Sequence, residues 1–332
     1  MNHKSKPCLG FLGVGWIGKN RMQALSESKE VEIHSIFDSS EENLRSALSD
    51  FPSAQPVKSY DELLEQKIDG IVIATPSAQH AKQAIEAFEK NIPVFCQKPL
   101  GRSASEVSAV LRAAETADCL LGIDLSYRHT AAMESIYREI QSGTIGEIYA
   151  IDLLFHNAYG PDKAWFYNPA LSGGGCVMDL GIHMIDLALY SLDFPKIESV
   201  SSKLFSKGKP LRDRTKEVED YALSTLRLSN GAVVQLACSW NLSAGVDAII
   251  QANFYGTKGG LSFKNISGSF YHFSAEKYLG TSSSRLCEPP DAWSGRAAVR
   301  WVQKLKSSRR FDSSAREFQI VADVLDRIYL NP

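Results

Sequence analysis

The sequence predicts an α/β protein in two parts: a doubly wound parallel-sheet domain, then an α+β domain built on a large open antiparallel sheet. Three observations carry that prediction. Apolar strand-like runs alternate with helical periodicity through residue 125, which means right-handed crossovers and a parallel sheet covered on both faces. A glycine-punctuated loop leaves the first strand and opens the first helix, as at the first turn of such sheets. From Lys196 onward strand follows strand with no helix between them, the grammar of an antiparallel sheet. At a prior of roughly 150 residues per domain, 332 residues make two. The expected division places residues 1–125 in the first and 126–332 in the second.

Each element has its own signal. Residues 9–12 form a short apolar strand running into Gly13-Val14-Gly15-Trp16-Ile17-Gly18, and Ile17, Met22 and Leu25 give the next helix its apolar side. Residues 31–37 alternate apolar and polar positions and end at Asp38. Helices are expected over 41–48 and 61–66, a buried strand over 70–74, and a helix from Ser77 to about residue 90. Strand 92–96, helix 103–117 and strand 120–125 complete the first domain. After Tyr127 a helix over 131–141 leads into a long strand over 147–156, and a glycine-punctuated helix lies within 169–192. Strands follow at 199–205, 221–228, 232–239, 248–255 and 260–264, with Ser229-Asn230-Gly231 as a tight hairpin turn. Residues 280–290, rich in Ser and Pro, read as a surface loop. A last helix over about 314–329 carries Phe318, Val321, Val324, Leu325 and Ile328 on one stripe.

Composition narrows the function classes. The balance of 36 Lys and Arg against 38 Asp and Glu gives a net charge of −2, so there is no basic excess to grip a nucleic acid. No run approaches the ~20 apolar residues a membrane span needs. The opening residues 1–7 are polar, and the apolar run 9–12 is too brief for a signal peptide. Cys8, Cys96, Cys119, Cys176, Cys238 and Cys287 form no Cys-x-x-Cys pair. That spacing is neither a disulfide framework nor a zinc pattern and suits reduced thiols in a cytoplasm.

The glycine loop points to a dinucleotide. Gly13 permits the tight turn, Gly15 lets a pyrophosphate approach the backbone, and Gly18 lets helix and strand pack closely. Amides at the helix N-terminus, around Trp16 and Ile17, would face the phosphates. Asp38 ends the second strand 20 residues beyond Gly18, where a carboxylate accepts from ribose hydroxyls and repels a 2′-phosphate. Ser39 and Ser40 follow in place of an Arg or Lys, so NAD is expected in preference to NADP. As an alternative, Asp38 caps the helix after it.

Two further segments sit where ligands bind in parallel sheets, outside the carboxyl ends of the strands. Ala74-Thr75-Pro76 ends the third strand, and Cys96-Gln97-Lys98-Pro99 ends the fourth. Lys98 there would stabilise a developing alkoxide, or it is an exposed strand-end lysine. Later, Ser172-Gly173-Gly174-Gly175 runs into a helix carrying Asp179 and His183 four residues apart, which puts both on one helical face. The glycines allow close approach by a ligand or by another backbone. Imidazole beside carboxylate makes a general base, because its unperturbed pKa is ~6.5. Core packing explains His183 equally well from spacing alone. Asp179, His183 and Asp186 lack the second His or Cys cluster that would complete a metal site, so no metal is expected.

The motifs Gly13 to Gly18, Thr75-Pro76-Ser77-Ala78-Gln79-His80, Gln97-Lys98-Pro99 and Gly173 to Asp186, in this order, resemble the glucose–fructose oxidoreductase / inositol dehydrogenase / MocA (Gfo/Idh/MocA) family over nearly the whole chain. The resemblance implies a Rossmann domain plus an open-faced antiparallel sheet through which homodimers or homotetramers form. It implies NAD(P)-linked chemistry on sugars, cyclic polyols and their derivatives. Lys98, Asp179 and His183 match the family's catalytic positions: His183 carries the proton, while Lys98 and Asp179 orient and polarise the hydroxyl. Thr75, Pro76, His80 and Gln97 match positions lining the cofactor. Gln97 departs from the family's usual Glu, keeping the acceptor oxygen and losing the charge. Arg128 is a candidate substrate contact by a looser match. His156 and Trp165, within the aromatic and amide-rich segment 155–165, would suit a sugar ring, as would an ordinary loop anchored by its Trp. The same parts would also serve an NAD-dependent glycosidase or lyase that returns its hydride, or a non-catalytic NAD or sugar sensor.

Overall fold

The computed structural model describes residues 6–330. Residues 1–5 and 331–332, which hold most of the polar opening stretch and the outer ends of the two expected domains, lie outside the described residues. The chain divides into two compact units.

The first unit alternates strand and helix: β1 (Cys8–Leu12), α1 (Trp16–Ser28), β2 (Glu32–Phe37), α2 (Glu41–Asp50), β3 (Gln55–Pro56), α3 (Tyr60–Leu64), β4 (Gly70–Ile73), α4 (Ser77–Glu89), β5 (Val94–Cys96), α5 (Ala104–Thr116) and β6 (Leu121–Ile123). Local chemistry sets the helix starts. The Ser40, Ser59 and Ser103 side chains accept from the amides of Asn43, Glu62 and Glu106, filling one orphan donor in each first turn. Among the described residues the six strands form one parallel sheet in the order β3-β2-β1-β4-β5-β6. The order reverses between β1 and β4, so the turns after these strands open at the switch point where such sheets bind ligands. Ile71, Val72 and Ile73 of β4 have no exposure, as expected of a central strand covered on both faces.

In the second unit α6 (Ala131–Gln141) leads to β7 (Ile148–Asn157). Next come α7 (Pro169–Ser172), a π-helical turn at Val177–Gly181 and α8 (Ile182–Ser191). The strands are β8 (Ile197–Ser206), β9 (Lys209–Pro210), β10 (Tyr221–Leu228), β11 (Val233–Ser239), β12 (Ala248–Gly256), β13 (Gly259–Asn265), β14 (Phe273–Leu279) and β15 (Ser282–Cys287). Among the described residues they form a nine-stranded sheet ordered β15-β14-β13-β12-β7-β11-β10-β8-β9. It is antiparallel throughout except where β7 and β11 run parallel. One face packs on α8 and α6; in β10, Ala222, Ser224, Leu226 and Leu228 point that way and Leu223, 45% exposed, points out.

The hairpin at 229–231 needs only one positive φ, at Gly231 (87°). The Asn230 side chain instead accepts from the Ala232 amide at 3.1 Å. The expected loop at 280–290 is in part a strand: β14 turns at Gly280 (φ 57°) into β15. β15 is an edge strand of Ser-Ser-Ser-Arg-Leu-Cys with most residues exposed, so it carries no apolar alternation to announce it.

The domain division also needs correction. α9 (Arg296–Ser307), absent from the sequence reading, belongs to the first unit together with the rest of Ser294–Gln319. Its Ala297, Ala298, Trp301, Val302 and Leu305 join the core of β1, β2 and α1. Trp301 lies where a Cβ at Gly70 or Gly122 would stand, 2.6 Å away in each case. The last helix, α10 (Glu317–Leu330), begins among these residues, and from Ile320 it counts with the second unit. Among the described residues no helix is long and apolar enough to cross a membrane.

Candidate cofactor and catalytic sites

In the first unit the glycine loop is built as the motif requires. Gly13 has φ 83°, its amide donates to the Phe37 carbonyl (2.8 Å), and a Cβ on it would lie 2.7 Å from the Ala74 backbone. A Cβ on Gly18 would lie 2.1 Å from the Gly13 carbonyl oxygen. A Cβ on Gly15 would meet only the Asn43 side chain, at 3.4 Å. Only the middle glycine, then, leaves room for an incoming group. Gly15 caps α1 without a side-chain hydrogen bond, and the first turn holds no acidic residue. Its amides are therefore suited to an anion. Trp16 is 74% exposed and Ile17 is half-buried.

Asp38 is not the cap of α2, which is Ser40. Its carboxylate accepts from the amides of Val14 and Ser40, each at 2.8 Å, and from Asn43 Nδ2 at 3.2 Å. It thus ties the end of β2 to the glycine loop, with exposed Ser39 beside it. These residues fit a dinucleotide: a turn only glycine can make, an uncapped helix start and a carboxylate at the second strand end.

Thr75 and Pro76 are half-buried at the end of β4, and Thr75 Oγ1 donates to Gln83 Oε1 at 2.5 Å. His80 is 1% exposed. Its ring nitrogens lie 2.6 Å from the Thr75 carbonyl oxygen and 2.7 Å from that of Pro99. Burial pushes its pKa down. His80 therefore sits between the segments that follow β4 and β5. Lys98 is half-buried at the end of β5. Gln97 beside it is buried, its Nε2 donating to Asp124.

In the second unit the glycine run admits another backbone and a side chain. A Cβ on Gly175 would lie 1.8 Å from the Glu219 carbonyl oxygen, and one on Gly174 2.0 Å from Tyr329 Oη. The Glu219 carboxylate, 1% exposed, accepts from the amides of Gly175 (3.0 Å) and Val177 (2.9 Å) and from Tyr329 Oη (2.8 Å). Burial raises its pKa, against these hydrogen bonds. A buried acceptor at the start of a helix offsets the first-turn amides that have no partner. The π turn that follows, Val177–Gly181, closed by the Ile182 amide donating to the Val177 carbonyl, contains Asp179 and ends two residues before His183. Such turns concentrate at functional sites.

Asp179 accepts from Trp240 Nε1 at 3.1 Å. Phe166 and Tyr167 meet Trp240 edge-on, and Trp165 stacks on Phe166 at 3.8 Å. The aromatic loop is thereby brought to Asp179. His183, 9% exposed, meets the Tyr127 ring at 4.8 Å. Burial, then Asp179, push the Tyr127 phenol pKa up.

His156 and Arg128 go elsewhere. His156 bonds Ser239 Oγ through Nδ1 (2.8 Å) and stacks on Tyr221; it points to the sheet face opposite Phe155, away from α8. Arg128 donates Nε to Asp186 at 2.7 Å, makes a second, closer bond to the same carboxylate, and lies over the Tyr190 ring. Burial raises the Asp186 pKa, and Arg128 opposes the rise. Among the described residues no group of three or more His, Cys, Asp or Glu could hold a metal ion. Sequence reasoning missed Glu219, Trp240, Tyr127 and Asp124. Only Asp124, a carboxylate directly after an apolar strand, carried a signal.

Residues 9–125 match the profile described as oxidoreductase family, NAD-binding Rossmann fold, and residues 133–262 match the GFO/IDH/MocA C-terminal domain. The chain is 28% identical over 236 residues to glucose-6-phosphate 3-dehydrogenase of Bacillus subtilis, covering 70% of this chain and 67% of that one. It is 28% identical over 208 residues to D-glucoside 3-dehydrogenase of Escherichia coli, covering 60% and 59%, so less than two thirds of that relative is spanned. Myo-inositol 2-dehydrogenase of Thermotoga maritima is 24% identical over 263 residues, 78% and 75% of the two chains. Levoglucosan dehydrogenase in complex with NADH and levoglucosan superposes with TM-score 0.82 at 20% identity over 98% and 97%. KijD10, a 3-ketoreductase from Actinomadura kijaniata in complex with NADP and TDP-benzene, gives 0.83 at 17% over 98% of each chain. At these identities the solved structures speak for the fold.

Proposed function

The chain belongs to the Gfo/Idh/MocA oxidoreductase family, and from that premise we propose that it is a dehydrogenase. It would pass a hydride between NAD(H) and a secondary alcohol or ketone of a sugar, sugar derivative or cyclic polyol. The nicotinamide, when bound, supplies the hydride chemistry; the chain supplies orientation and the proton. His183 takes the hydroxyl proton in oxidation and returns it in reduction, Asp179 orients the hydroxyl, and Lys98 polarises it. The observation that carries this reading is the Asp179–His183 segment: a shielded histidine after a π turn, with its carboxylate neighbour anchored by Trp240. The names of relatives acting on glucosides, glucose 6-phosphate and myo-inositol support a ring hydroxyl as the target.

NAD is preferred because the Asp38 carboxylate meets the ribose edge. Assembly is as a homodimer or homotetramer through the sheet face that carries Leu223. The deciding experiment follows reduced-nicotinamide absorbance with NAD or NADP and a panel of aldoses, ketoses, sugar phosphates, glucosides and inositols. Growth of the band with one substrate group is the expected result. A flat trace from protein that binds the cofactor would replace the dehydrogenase with internal redox cycling or sensing.

A further inference from the structure

Position 97 holds Gln where the resemblance implies Glu, and the structure shows what surrounds it. Gln97 follows β5, its amide donating to the Ile73 carbonyl (2.9 Å). Asp124 follows β6 alongside it, its amide donating to the Cys96 carbonyl (2.9 Å). Gln97 Nε2 and Arg21 Nε both donate to Asp124 Oδ2, and Ser126 Oγ donates to Oδ1. Arg21 also reaches Asn20 Oδ1 (2.5 Å) and Ser294 Oγ (3.4 Å). Arg21, Gln97, Asp124 and Ser126 are 5%, 7%, 1% and 4% exposed.

An ionised carboxylate only accepts hydrogen bonds, so the end of the Gln97 amide turned toward Asp124 must be the nitrogen. The carbonyl oxygen is then the end left for a partner at the carboxyl edge of β5, next to Lys98. The negative charge sits inside, at Asp124, and Arg21 neutralises it there. With Glu at 97, two acceptor-only carboxylates would face each other in a buried place.

We propose that Asp124 is a positioning residue of the cofactor cleft: it holds Gln97 with Oε1 outward to accept from a hydroxyl or amide donor of the bound dinucleotide. The residues at 97 and 124 are one coupled choice of amide and carboxylate, which can be exchanged together and not singly. The proposal rests on the dinucleotide reading of this cleft.

The test is a four-protein cycle of the natural chain, Gln97→Glu, Asp124→Asn and the double variant. NADH binding is read by fluorescence from about pH 5.5 to about pH 8.5, and melting temperatures are read without cofactor. The charged or titratable groups facing position 97 are Arg21 from α1, Asp124 beyond β6, and Cys96 and Lys98 on either side of it in the chain. Burial holds the Cys96 thiol well above this window. Gln97→Glu should weaken NADH about tenfold at the alkaline end and recover toward acid, as the facing carboxyls share a proton. Asp124→Asn should weaken binding at every pH, since Arg21 loses its ionic partner and the amide is free to turn. The double variant should return to within about threefold of the natural chain, because one carboxylate and one amide again face each other.

A double variant no tighter than the weaker single, or Gln97→Glu binding like the natural chain across the range, would overturn the proposal. If Gln97→Glu does not fold, folding and binding by the double variant decide alone. If the natural chain binds neither NADH nor NADPH, the dinucleotide reading fails. The melting temperatures still decide the pair in that case: the double variant must regain at least half of what the singles lose.

Discussion

His183 keeps its ring against Tyr127 inside the second unit, and removing it should separate chemistry from binding. His183→Ala is expected to lower kcat by roughly 10²–10⁴-fold, the usual worth of a positioned acid–base group. Its NADH dissociation constant should stay within about twofold, because the residue acts on the proton and not on the cofactor. Steady-state kinetics and a fluorescence titration check the split; equal losses in both would make His183 structural. Asp38 is tested in the opposite sense. Asp38→Ser should lose NAD affinity and gain relative use of NADP, shifting the kcat/KM ratio about tenfold or more, since a charge opposing the 2′-phosphate is removed. At this scale the glycines, Asp38, Asp179 and His183 could be singled out because each belongs to a short motif with a local reason. Glu219 was not: its amide partners lie 44 and 42 residues away and Tyr329 lies 110 away. No local pattern marks an acidic residue as the one that folds inward.

At the scale of the element, the segment from Gly173 through α8 depends on a cap that its own sequence does not supply. Glu219→Ala would leave the Gly175 and Val177 amides and the Tyr329 hydroxyl without their buried acceptor. The cost is expected to be about 3 kcal/mol or more, at roughly 1–3 kcal/mol for each unsatisfied group. Glu219→Gln keeps an acceptor oxygen and should lose clearly less. Denaturant unfolding measures the stability, and kcat should fall alongside it in the Ala variant as Asp179 and His183 lose their fixed start. Equal stability of the Ala and Gln variants would count against the cap. The π turn belongs here too. Spacing put Asp179 and His183 on one α-helical face, but nothing local says that the Ile182 amide will reach back five residues to Val177. Arg128 shows the same limit, since its partner Asp186 sits 58 residues on.

Across the whole molecule, the chain leaves its first unit at Ser126 and returns to it at Ser294. The return is held by Trp301, which fills the space above Gly70 and Gly122 and packs on Phe95 at 5.8 Å. Trp301→Ala should cost about 3–5 kcal/mol, the range for truncating a buried aromatic. Thermal and denaturant unfolding test this, and a loss under 1 kcal/mol would mean that α9 is a peripheral cover and not part of the core.

Periodicity, glycine spacing and strand-end chemistry sufficed to specify two sheets and a nucleotide-binding turn, and to single out Asp179 and His183. They are read over a few residues, within which backbone sterics and side-chain alternation act. Tertiary structure alone decided that α9 completes the core of the first unit, that Glu219 and Trp240 hold the Asp–His segment, and that Gln97 turns its amide nitrogen to Asp124. Those are choices of partner between residues distant in sequence. They are settled by burial, which leaves each buried donor or acceptor only the groups that folding brings within hydrogen-bond reach.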